Sequence, residues 1–74
     1  MIKVFRTDVA YAREVSNIVD GLLRDYPCMR INFDLEDEDR IMRIEGAAFK
    51  VEDIIALLKK HGHRCVELPF DLEL

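Results

Sequence analysis

The chain has 74 residues and a formal net charge of −4, with half of its residues apolar and 35% charged. That length holds one domain, and the composition is that of an ordinary globular protein. It excludes a membrane-spanning helix, since no apolar run approaches the roughly 18 residues one needs. It also argues against nucleic acid, because phosphates repel an acidic surface that has no segregated basic patch.

Arg6, Arg13, Arg24, Arg30, Arg40 and Arg43 are interleaved with acids, so the sequence shows no such patch. The segment Met1–Arg6 is too short and too charged for a signal peptide. A cytoplasmic chain follows as an expectation, with Cys28 and Cys65 reduced. A core this small supplies about 3–5 kcal/mol of net stability. Exposed apolar surface is therefore expected to meet a protein partner or a second copy.

Ile2 to Thr7 is β-branched and apolar enough for a strand, but Val4 and Phe5 are both apolar and leave the inward face open. From Val9 the period changes. Tyr11, Val15, Ile18, Val19, Leu22 and Leu23 recur at helical spacing and form one stripe. Asp8 suits the N-cap, because its carboxylate can accept from the free N–H groups of the first turn. Gly21 costs this helix about 1 kcal/mol against alanine, and Pro27 stops it.

Met29 to Leu35 alternates without a break, with Met29, Ile31, Phe33 and Leu35 facing one way and Arg30, Asn32 and Asp34 the other. Glu36 to Asp39 is an acidic turn, and Arg40 to Glu45 is the returning strand of a hairpin ended by Gly46. Val51, Ile54, Ile55 and Leu58 define a second amphipathic helix. Lys59, Lys60 and His61 suit its negative end, and Gly62 fits the C′ position. His63 to Leu68 is a last short strand closed by Pro69.

The order predicts an α+β, ferredoxin-like βαββαβ sandwich: a four-stranded antiparallel sheet with two helices on one face. The first and third strands are central. Cys28 and Cys65 then fall on opposite edges, too far apart for a disulfide. The domain spans residues 1–68, and 69–74 form a C-terminal tail.

Several segments resemble heavy-metal-associated domains, found in copper chaperones and metal-pumping ATPases. They are Val4 to Val9, the helix end Leu22-Leu23, the hairpin Phe33 to Leu35 with Arg40 to Gly46, and Ile54 to Gly62. That family carries a soft ion on a Cys-x-x-Cys loop after the first strand, where a helix N-terminus favours thiolates. The matching positions here are Tyr11 and Glu14, with Ala12 and Arg13 between them and Val9 in place of the usual methionine. A phenol and a carboxylate suit a soft ion poorly, and Arg13 repels cations. The resemblance therefore implies the scaffold without its metal or any other cofactor. Tyr11 is expected to cap or fill the space above the core, and Glu14 to complement the helix dipole.

His61, His63 and Cys65 offer ligand types at alternate positions, but their spacing matches no closed zinc pattern and no fourth ligand is evident. The acidic turn lacks the glycine and length of a calcium loop. Acylphosphatases share the strand order, but the loop after the first strand here has no glycine to expose N–H groups to a phosphate. RNA-recognition domains share it too, yet the outward hairpin residues are Arg30, Asn32, Asp34, Arg43 and Glu45 rather than stacking aromatics. Ser16 is the sole serine and lies in mid-helix, so no nucleophile–base pair is recognisable. The sequence thus points to a non-enzymatic protein-interaction or regulatory module, with self-association included. Metal binding or delivery through His61, His63 and Cys65 is the alternative.

Overall fold

Alternation of apolar residues builds one face of the sheet, and the helices close over it. The computed structural model describes residues 1–69. Its elements are β1 (Ile2–Thr7), α1 (Ala12–Asp25), β2 (Arg30–Asp34), β3 (Ile41–Glu45), α2 (Val51–Lys60) and β4 (Cys65–Glu67). The strands lie in the order β2-β3-β1-β4, every neighbouring pair antiparallel, which is the expected ferredoxin-like arrangement. No helix among the described residues is long and apolar enough to cross a membrane.

The register settles the facing of β1. Phe5 stands opposite Met42, and both are fully buried with the helices. Val4 stands opposite Arg43 and so points to the other face. The core joins Phe5, Met42 and Ile44 of the sheet to Ile18 and Leu22 of α1 and to Ile54 and Leu58 of α2. Each such side chain stabilises the fold by about 1.5–3 kcal/mol. Truncating Met42 or Ile54 to alanine would cost about 2–5 kcal/mol, comparable with the whole net stability.

Gly21 sits where α1 packs against Leu57 of α2. A Cβ there would stand 3.2 and 3.3 Å from the two Leu57 methyls, so the glycine lets α1 and α2 approach closely. The sequence pattern passed over Phe49. It is buried and meets the Tyr26 ring edge-on, with centroids 6.4 Å apart.

The start of α1 corrects the sequence reading. Helix begins at Ala12, and the extended N-cap residue is Tyr11 rather than Asp8. Tyr11 makes no side-chain cap bond and is 61% exposed, so it neither joins the apolar stripe nor fills space above the core. Fully buried Val9 takes that place. β4 is also shorter than expected, because His63 and Arg64 are held by groups outside the sheet. Cys28 is exposed, Cys65 is buried, and both are free thiols. Most of the expected C-terminal tail, residues 70–74, lies outside the described residues.

Candidate functional site

Three segments meet at the end of β1: the β1–α1 loop, the first turn of α1 and the α2–β4 turn. Gly62 sets the last of these. Its φ of 84° is left-handed, which glycine adopts without Cβ strain. The Gly62 N–H donates to the Lys59 carbonyl at 3.0 Å, and the His63 N–H donates to the Leu58 carbonyl at 2.8 Å. These are the paired bonds of a Schellman motif, so the expected C′ glycine fixes where His63 leaves the helix.

The His63 side chain is 11% exposed and lies between two carboxylates. Its Nδ1 is 3.0 Å from Asp8 Oδ1, and its Nε2 is 3.3 Å from Glu14 Oε2. A carboxylate only accepts, so each contact is a hydrogen bond when the facing ring nitrogen carries hydrogen. Asp8 Oδ1 also accepts from the Arg64 N–H at 3.0 Å. The other Glu14 oxygen, Oε1, accepts from the Tyr11 and Ala10 N–H groups at 3.2 and 3.4 Å. That is one half of a capping box, made without a capping hydroxyl.

A second set of bonds holds the same loop from below. The Thr7 hydroxyl donates to the Arg40 carbonyl at 2.7 Å and accepts from the Val9 N–H at 3.2 Å. Arg40, in the left-handed region at φ 48°, returns a guanidinium N–H to the Val9 carbonyl at 3.5 Å. The β1–α1 loop is therefore fastened at Thr7, Asp8, Val9 and Glu14. Chemically, the arrangement cross-links two loops through an imidazole.

Cys65 lies beside this cluster on a cleft shared with Asp8, Lys59 and His63. Burial, and secondarily the Asp8 charge, push its thiol up to about 12. It stays protonated near neutrality and is a weak nucleophile and ligand. His61 ends α2 and faces α1, with Nε2 3.5 Å from where a Gly21 Cβ would stand. His61 thus lies apart from the cleft that His63 and Cys65 share with Asp8. Among the described residues, no group of three or more His, Cys, Asp or Glu side chains could hold a metal ion.

Of the two positions singled out after the first strand, only Glu14 enters the cluster. Tyr11 points outward, and the Arg13 guanidinium lies 5.7 Å from its ring centroid. The sequence reading missed Asp8 as a long-range anchor and treated it as a helix cap. The signal was present but indirect: a glycine-terminated helix followed by His63-Arg64, which must return beside the end of β1. No family model matches the chain, and no curated protein or solved structure matches it either.

Proposed function

We propose that the chain is a non-enzymatic protein-interaction module, built on a scaffold like that of heavy-metal-associated domains but without the family's metal grip. The carrying observation is the commitment of Glu14. It stands at one of the two positions where that family places thiolates. One of its oxygens faces His63 at 3.3 Å, and the other takes backbone N–H groups of its own helix start. With both oxygens already engaged, Glu14 is less available to an ion than a free carboxylate would be.

The nucleophile inventory supports the same reading. The Cys65 thiol is held protonated, His63 is flanked by Asp8 and Glu14, and exposed Ser16 lies on α1. Exposed Cys28 suits a reducing cytoplasm. What the scaffold offers among the described residues is surface: the outer edges of β2 and β4, and exposed Ile2 and Val66 beside buried Val4 on the face away from the helices.

Native mass spectrometry with one equivalent of Cu(I) or Zn(II) tests the proposal. The expected result is the mass of the bare chain with both ions. One ion retained per chain, and lost on His63→Ala or Glu14→Ala, would contradict it and favour metal binding.

A further inference from the structure

Among the described residues β2 is an outer strand of the sheet, and with five residues it is the longer edge; β4 has three. Edge strands present a row of unpaired N–H and C=O groups, which proteins commonly shield with like charges (lysine above all), proline or a very short strand, whereas the two charges of β2, Arg30 and Asp34, are of opposite sign. Arg30–Asp34 contains neither lysine nor proline. Arg30, Asn32 and Asp34 are exposed, while Ile31 and Phe33 are only half-buried against the core.

The strand is also complementary to its own reverse. Counting outward from Asn32, the flanking pairs are Ile31 with Phe33, Arg30 with Asp34, and Met29 with Leu35. We propose that two copies of the chain join β2 to β2, antiparallel about a two-fold axis at Asn32, to make one continuous eight-stranded sheet. This rests on the interaction-module reading and names a second copy as the partner.

In that register Arg30 faces the partner's Asp34, and Asp34 faces the partner's Arg30. Ile31 and Phe33 pair on the helix side. Opposite charges and apolar residues directly across a ladder attract, and the two-fold makes every contact twice. Asp34 Oδ1 already accepts the Glu36 and Asp37 N–H groups, which leaves Oδ2 to meet the guanidinium. Moving the axis by one residue in either direction removes the Arg30–Asp34 match.

Two measurements test the register. Sedimentation equilibrium of the full chain is expected to approach twice 8.7 kDa as concentration rises. Arg30→Asp and Asp34→Arg should each weaken association by at least about tenfold, since each turns two attractive pairs repulsive. The double exchange should restore it. Circular dichroism of each variant reports whether it remains folded.

In a Cys28→Ala background, Asn32→Cys should oxidise to a covalent dimer. Opposed Cα atoms in an antiparallel ladder lie about 4.5–5.5 Å apart, within disulfide range. Arg30→Cys in the same background should not, because its two copies would lie more than about 13 Å apart.

Mass equal to one chain at every concentration, indifference to the charge exchange, or equal cross-linking at positions 30 and 32 would each overturn the proposal. A monomer that takes up no Cu(I) or Zn(II) overturns this edge and leaves the module reading standing. Uptake of one ion overturns the module reading whatever the mass.

Discussion

Asp8→Ala removes two hydrogen bonds at once. Its Oδ1 accepts the Arg64 N–H and faces His63 Nδ1, both at 3.0 Å. Hydrogen bonds to a charged group contribute about 1.5–3 kcal/mol each. The Asp8 side chain is 50% exposed, so water replaces part of what is lost. The expected destabilisation is about 2 kcal/mol for the pair. In a domain of this size that lowers Tm by about 8–16 °C. Asp8→Asn keeps an oxygen for the Arg64 N–H and loses the charge, so about half of the effect should remain. Urea denaturation followed by circular dichroism measures both variants, and a double-mutant cycle with His63→Ala isolates the side-chain pair. The expected coupling is about 0.5–1 kcal/mol. An Asp8→Ala chain within about 0.3 kcal/mol of the parent, or strict additivity with His63→Ala, would refute this cross-link between the two loops.

The other expectations concern single groups. Gly62→Ala forces a side chain into φ 84° with nothing nearby to compensate, and should cost about 1 kcal/mol by denaturant unfolding; an unchanged midpoint would count against the Schellman turn. Cys65 titrates near 12 when folded, against an ordinary 9.0. The unfolded chain therefore releases that proton first. Stability from this thiol is complete below pH 9.0 and is lost as pH rises toward 12, and Cys65→Ser should flatten that decline. At pH 8 iodoacetamide should modify exposed Cys28 long before Cys65, and equal rates would show an open core. Tyr26 ionises above its ordinary 10.0, chiefly because its hydroxyl donates to Asp53 Oδ2 at 2.8 Å. Asp53→Asn should bring its ultraviolet titration down in pH.

The fold was legible wherever periodicity was strong. The alternation from Met29 to Leu35 and the stripes ending at Leu23 and Leu58 specify three elements, and Gly62 specifies how α2 stops. The connection between β1 and α1 was harder to read, because local and distant partners competed for the same side chains. Asp8 has the chemistry of a helix cap, but the Arg64 N–H and His63, both far along the chain, claim its carboxylate. Once Asp8 is taken, the helix starts later, Val9 drops into the core and Tyr11 is turned outward. Spacing alone could not show that Glu14 and His63 meet, since their contact needs both crossovers of the fold. Phe49 was missed for a related reason: it packs from a loop, where no period announces it.

The loop after β1 is fastened to the α2–β4 turn by Asp8, Glu14 and His63, and the proposed function requires that it take up no ion. Heteronuclear NMR of the full chain during stepwise addition of Cu(I), and separately Zn(II), tests it residue by residue. The account predicts that the amides of residues 8–14 and 61–65 hold their positions through one equivalent. Shifts in those amides that saturate at one ion per chain would contradict it.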